Sequence, residues 1–244
     1  MLLNTLLVTP LINAKEYVIF PLGDSITKGV TGYVSPNEPV PGGYRGYLND
    51  LLVQEGVAFT FVGNSKTNPS LNLTKSNQEN HEGHPGWVIE LLTYNLENWL
   101  TSLNKSPDII LLMAGTNNLG LGEQTPEEAG KHMDILLNEI SSLMPNVITI
   151  VSTLIPYNGT GATALGREAN QVIFNIKILP AIIINHQKKM HKVVLFDMRN
   201  YFNMDNEATH LSGDKVHPSA LGYQAIANGW FQALKEHSIK NNKS

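Results

Sequence analysis

Five short runs of apolar residues punctuate the chain: Tyr17–Leu22 (YVIFPL), Ala58–Val62 (AFTFV), Asp108–Ala114 (DIILLMA), Val147–Leu154 (VITIVSTL) and Lys192–Asp197 (KVVLFD). Each is continuous rather than alternating, as expected of a strand covered on both faces. The segments between them follow a helical period. Trp87–Leu103 places Val88, Leu92, Leu96, Trp99 and Leu103 on one stripe, and the last segment does the same with Tyr223, Ile226, Ala227, Trp230 and Leu234. Thr125-Pro126-Glu127-Glu128 predicts a helix start, with Thr125 as N-cap, Pro126 at the first helical position and Glu128 closing a capping box. A strand followed by a helix, repeated five times, predicts an α/β fold: a five-stranded, mostly parallel sheet with helices on both faces and right-handed crossovers.

Ligands in such folds bind beyond the carboxyl ends of the strands, so the residues just after each apolar run are the first candidates for chemistry. Three polar stretches, Asn64–His81, Pro156–Gly166 and Asn200–Gly213, exceed the usual loop length and are expected to border the site. No linker, repeat or low-complexity tract divides the sequence, and residues 15–244 read as one domain.

Composition narrows the chemistry. A single α/β domain of 244 residues buries about three quarters of its unfolded surface and needs no covalent staple. With no cysteine, a disulfide framework, a zinc ribbon, an iron–sulfur site and a thiol nucleophile are all excluded, leaving oxygen and nitrogen groups. The 17 Lys and Arg against 21 Asp and Glu give a formal charge of −4 without a basic run, which argues against nucleic acid as a partner.

Residues 1–14 (MLLNTLLVTPLINA) are nearly uncharged, mostly apolar and end in Ile-Asn-Ala before Lys15-Glu16, which reads as a signal peptide and implies a secreted or periplasmic protein. The segment lacks a positive start and is interrupted by Pro10, so an N-terminal extension of a cytoplasmic protein is the competing reading. No later segment is long and apolar enough for a membrane helix.

Gly23-Asp24-Ser25-Ile26-Thr27 follows the first strand directly and places the Ser25 hydroxyl at the carboxyl edge of the sheet. Alone, these residues also make an ordinary turn. The elbow Gly-x-Ser-x-Gly is absent from the chain. A serine nucleophile needs a base to take its proton, and that base needs a carboxylate to orient it. Asp214-Lys215-Val216-His217-Pro218 supplies both at an offset that lets Asp214 meet one imidazole nitrogen while the other faces substrate. As an isolated pair, the two would equally well cap the last helix. None of the other seven histidines, His132, His186, His191 and His237 among them, shows a comparable arrangement in the sequence.

Acyl transfer further needs donors aimed at the developing oxyanion. Gly115-Thr116-Asn117-Asn118 follows the third run and puts the Asn117 amide on the same edge as Ser25. His81-Glu82-Gly83-His84-Pro85-Gly86-Trp87 leads into the next helix, and Gly86 offers a backbone N–H with no side chain in the way. The spacing of His81, Glu82 and His84 is not His-Glu-x-x-His, so a metal site is not expected there.

In order and spacing, these four blocks resemble the SGNH (GDSL-type) hydrolase family over nearly the whole chain, from Gly23 to His217. Gly42-Gly43-Tyr44-Arg45, the EGHPGW segment, Pro107–Leu112 and Val216-His217-Pro218 with Gly222-Tyr223 narrow the resemblance to carbohydrate esterase family three, the acetyl xylan esterase-like branch. The resemblance implies a flavodoxin-like three-layer α/β/α sandwich, with Ser25 as nucleophile, His217 as general base and Asp214 as its orienting acid. It also implies an oxyanion hole from the Ser25 and Gly86 N–H groups and the Asn117 side chain. Position 118 is Asn where the family usually has Asp, which removes a charge behind Asn117.

The expected activity is therefore hydrolysis of short acyl esters, acetyl above all, on a small-molecule or polysaccharide carbohydrate, through an acyl-enzyme and with no metal or organic cofactor. Such an enzyme loses activity on acidification as its histidine base is protonated. A lysophospholipase or short-chain lipase would use the same machinery, but the polar Asn64–Asn80 stretch favours a hydrated substrate. A non-catalytic carbohydrate-binding protein on this fold would have no use for a base behind a serine. A nucleotide-binding reading lacks the phosphate loop Gly-x-x-x-x-Gly-Lys.

Overall fold

All five apolar runs form strands in the computed structural model, which describes residues 15–32, 40–120, 124–156, 162–202 and 207–239. The first half of the chain runs β1 (Tyr17–Gly23), α1 (Ser25–Lys28), α2 (Tyr44–Gln54), β2 (Phe59–Phe61), α3 (Leu71–Ser76), β3 (Glu82–Gly83) and α4 (Ile89–Ser102). It continues through β4 (Ile109–Met113), α5 (Thr116–Gly120), α6 (Pro126–Leu143), β5 (Ile148–Ser152) and α7 (Ala162–Ile173). After a π turn at Phe174–Ile178 come α8 (Leu179–Lys188), β6 (Val193–Phe196), a 3-10 turn at Met198–Asn200, α9 (Glu207–His210) and α10 (Ala220–His237).

The strands lie in the order β2-β1-β4-β5-β6, and every pairing is parallel. Among the described residues the sheet has six strands rather than the expected five, because β3 pairs with the end of β1 at Leu22↔Glu82 and Gly23↔Gly83. Two residues carry no hydrophobic period, so this strand exists only through its contact with β1. From β1 the chain winds first to β2 and later, on the other side, to β4, β5 and β6. The direction of winding therefore switches between β1 and β4, and the crevice beyond their carboxyl ends is the natural binding place in such a sheet.

The helices seal the sheet as their stripes require. In α10, Tyr223, Ile226, Ala227, Trp230 and Leu234 are all fully buried, and this helix packs on α2. Helix α4 is shorter than the expected Trp87–Leu103, with Val88 and Leu103 as its caps; it buries Ile89, Leu92 and Leu96 and packs on α6, while Val88, Trp99 and Leu103 of the expected stripe are half-buried. Thr125 caps α6 as its sequence requires, accepting from the Glu128 N–H while the Glu128 carboxylate accepts from the Thr125 N–H. Every residue of β4 is buried, in keeping with a central strand.

Among the described residues, the long polar stretches carry short helical elements. Asn64–His81 contains α3; Asn200–Gly213 contains the end of the 3-10 turn and α9, with residues 203–206 outside the described residues. In Pro156–Gly166, residues 157–161 lie outside the described residues, and α7 begins at Ala162. The signal-like segment 1–14 also lies outside them. No helix among the described residues is long and apolar enough to cross a membrane.

Candidate active site

Ser25 opens the single-turn helix α1, directly beyond the carboxyl end of β1, and is 8% exposed. Asp24 caps that turn, its Oδ1 accepting the Ile26 N–H at 2.9 Å. Burial pushes the Asp24 carboxyl up to about 6, against the opposing pull of the Ile26 hydrogen bond and of His217. A one-turn helix leaves its terminal carbonyls without intrahelical donors. Here the buried guanidinium of Arg45, on α2, donates to the carbonyls of Thr27 (3.0 Å), Lys28 (3.1 Å) and Glu79 (2.9 Å). Burial draws its pKa down to about 10, so it remains a cation at neutral pH.

Asp214 and His217 reach Ser25 from the segment preceding α10. His217 Nε2 lies 2.8 Å from Ser25 Oγ, and His217 Nδ1 lies 2.6 Å from Asp214 Oδ2. The chain doubles back between them through Lys215, whose φ is +60°. Asp214 Oδ1 then accepts from the Ser212 hydroxyl (2.7 Å) and from the backbone N–H groups of Val216 (3.0 Å) and His217 (2.9 Å). Partial burial opposes ionisation, but the His217 ring, these two N–H groups and Ser212 outweigh it and hold the Asp214 carboxyl well below the ordinary carboxylate range.

Asn117 lies at the start of α5, just beyond β4, and is 8% exposed. One hydrogen of its amide goes to the Trp87 carbonyl at 2.8 Å, which leaves the other to give away. Gly86 is exposed in a turn closed by the Trp87 N–H on the His84 carbonyl at 3.2 Å. Its φ of +77° after Pro85 is the signature of a type II turn, which glycine enters without strain. Nothing lies within 4 Å of where a Gly86 side chain would begin.

The Asn118 departure is matched by its surroundings. Its Oδ1 accepts from the Ile89 N–H at 3.0 Å, satisfying an otherwise unpartnered donor at the start of α4. Its Nδ2 donates to Glu90 Oε2 (2.7 Å) and Gln124 Oε1 (2.9 Å), and Gln124 Nε2 closes the ring on Glu90 Oε1 (2.7 Å). His132 Nε2 stands 3.1 Å from the same Glu90 oxygen. The negative charge behind Asn117 thus resides on Glu90, and the loop is braced from both sides.

His81 is fully buried with both ring nitrogens engaged, accepting from the Gly83 N–H at 2.9 Å and bonding the Thr67 carbonyl at 2.9 Å. Burial, with help from Arg45, pushes its pKa down to about 3, so the ring is neutral. Glu82 and His84 bond to each other instead of converging with His81. Among the described residues no group of three or more His, Asp or Glu is arranged to hold a metal ion.

One reading needs correction. Histidines other than His217 also meet a carboxylate: His84 on Glu82, His132 on Glu90, and His186, with Nε2 on Asp134 Oδ1 and Nδ1 on His191 Nδ1, each at 2.9 Å. Asp134 stands 52 residues away on α6, so no local spacing announces it. Arg45 and the Glu90–Gln124 ring were likewise missed as supports of the site, since their partners are brought together only by the fold.

Residues 22–225, nearly the whole described molecule, match the GDSL-like lipase/acylhydrolase family. The chain belongs to that family. It is 29% identical over 236 residues to a multidomain esterase of Ruminococcus flavefaciens, covering 89% of this chain. The chain spans 28% of the length of that protein and 56% of a second relative, from Acetivibrio thermocellus. Among solved structures, it resembles a family 3 carbohydrate esterase of Clostridium thermocellum at 29% identity and a TM-score of 0.70, covering 89% of this chain and 94% of that one. A variant of an acetyl esterase, solved with acetate ion, is 25% identical at a TM-score of 0.71, over 90% and 97% of the two chains. The GDSL-like assignment agrees with the resemblance read from the dispersed sequence blocks.

Proposed function

We propose that the protein is a serine esterase that removes short acyl groups, acetyl in particular, from carbohydrate hydroxyls. The observation that carries this reading is the hydrogen-bonded line from Ser25 Oγ through His217 to Asp214, at 2.8 and 2.6 Å. A carboxylate only accepts, so Asp214 keeps the hydrogen on Nδ1 and leaves the Nε2 lone pair facing the Ser25 hydroxyl. His217 takes the hydroxyl proton as Ser25 Oγ bonds the acyl carbon. The carbonyl oxygen becomes an oxyanion, met by the Ser25 N–H, the Gly86 N–H and the second amide hydrogen of Asn117. The imidazolium then protonates the departing alcohol. A water deprotonated by the same histidine releases the acid and restores Ser25.

The acetyl and carbohydrate preference rests on the relatives described above and on the polar character of the Asn64–Asn80 stretch. The test is a substrate panel on wild type and Ser25→Ala, with fluorophosphonate labelling. Acetylated sugars should exceed long-chain nitrophenyl esters in kcat/KM, and the label should sit on Ser25. A Ser25→Ala protein with full activity, or a folded wild type that resists the label, overturns the reading. Faster turnover of long-chain esters would assign the site to lipids.

A further inference from the structure

The segment that carries Gly86 is held by groups that the proposed reaction leaves unused. β3 lies beside the end of β1, and Gly83 packs so closely on α1 that a side chain there would begin 2.3 Å from the Lys28 nitrogen. The next residue, His84, donates its backbone N–H to the Gly23 carbonyl at 3.0 Å, tying the segment to the strand that delivers Ser25. Glu82 is fully buried, a costly place for a carboxylate unless its oxygens are engaged. One oxygen accepts the Asn64 N–H and the other meets His84 Nε2 at 2.7 Å. The His84 ring lies parallel to Trp99, with centroids 4.8 Å apart, and against Trp87 at 4.2 Å and 22°.

Both ends of the four-residue turn are thereby fixed. His84 is fixed by Glu82, Trp99 and Gly23, and Trp87 by its carbonyl bond to Asn117. Only Pro85 and Gly86 between them are exposed. We propose that Glu82 and His84 are positioning residues that hold the Gly86 N–H in place for the oxyanion. This inference rests on the oxyanion role proposed for Gly86 and Asn117. A donor contributes to lowering the barrier only when it stands in hydrogen-bond range of the oxygen as charge develops, so play in the turn costs rate rather than substrate binding.

The test compares His84→Ala, which removes ring and bond, with His84→Phe, which keeps a ring on Trp99 and loses the Glu82 bond. Glu82→Gln serves as the conservative variant, since a glutamine amide can donate to the other tautomer of His84. Asn117→Ala is the control. The readouts are kcat and KM on an acetyl ester, the thermal midpoint, and inhibition by a short alkylboronic acid, which forms a tetrahedral adduct on serine. Expected are a fall in kcat of about 10- to 100-fold for both His84 variants, KM within about twofold, and an equal fall in boronate affinity, with Glu82→Gln near wild type. Should His84→Ala unfold, His84→Phe carries the test. Failure of both to fold would make the pair a folding element and overturn the proposal. So would folded His84 variants with wild-type kcat and boronate affinity. If Asn117→Ala also keeps its rate, the oxyanion reading itself fails; if Asn117→Ala is slow and the His84 variants are not, only the brace fails.

Discussion

Asp214 holds His217 at two points, taking the ring Nδ1 on Oδ2 at 2.6 Å and the backbone N–H on Oδ1 at 2.9 Å. One carboxylate therefore fixes both the ring's tautomer and the position of the residue that bears it. In Asp214→Asn the backbone can keep the oxygen, and the amide nitrogen then faces Nδ1 and donates to it. The ring hydrogen moves to Nε2, which points at Ser25 Oγ and can no longer accept its proton. A fall in kcat of about 10³- to 10⁴-fold is expected, with KM little changed. Steady-state kinetics on a nitrophenyl acetate checks it; a loss confined to KM would contradict the tautomer argument.

The same carboxylate ties stability to acid. Its pKa is lowered in the fold, so the native state binds fewer protons at this group than the unfolded chain. The stabilisation is fully present above the unfolded value of about 4 and is lost as pH falls toward the depressed native one. Urea unfolding across pH should show wild type losing stability on acidification below about pH 4 relative to Asp214→Asn, which has no proton to gain at this position.

The Asn118 ring makes a prediction of opposite chemistry. Asn118→Asp sets a carboxylate oxygen where the amide now donates to Glu90 Oε2 at 2.7 Å. A donor becomes a like charge, and a cost of about 1–3 kcal/mol at neutral pH is expected. Adding Glu90→Gln removes the conflicting charge and supplies a donor. The double variant should recover most of the loss, read as a coupling energy in a double-mutant cycle of denaturant midpoints.

How far such features can be read from a sequence depends on the distance over which their causes act. Strands buried on both faces and helical stripes are written in consecutive residues, which is why β1, β2, β4, β5 and β6 and the stripe of α10 were legible. Asp214 and His217 were legible because three residues separate them, and Ser25 because it follows an apolar run directly. β3 was not, since two residues paired to β1 have no period of their own. Nor was Arg45, because a charged side chain defaults to the surface unless the fold brings it carbonyls, here those of Thr27, Lys28 and Glu79. Glu90 and Gln124 stand 28 and 6 residues from Asn118, so their ring forms only when α4 meets the loop after β4.

Asp24, next to Ser25, couples pH to stability with the reverse sign of Asp214. Its Oδ1 accepts from the Ile26 N–H, whereas its buried Oδ2 finds no partner among the described residues. Burial raises its pKa from 3.8 to about 6, so between those values the native state holds a proton that the unfolded chain has released. Stability at this group is therefore highest below about pH 4 and declines as pH rises to about 6, after which the cost is complete. A shift of that size corresponds to about 3 kcal/mol. Asp24→Asn keeps the Ile26 cap through its carbonyl oxygen and cannot ionise. Chemical denaturation at pH 4 to 8 should show the variant gaining on wild type by up to about 3 kcal/mol as pH rises through 6, and holding that margin above it. A margin that stays constant across this range would mean that Asp24 ionises in the folded protein as it does in the unfolded chain.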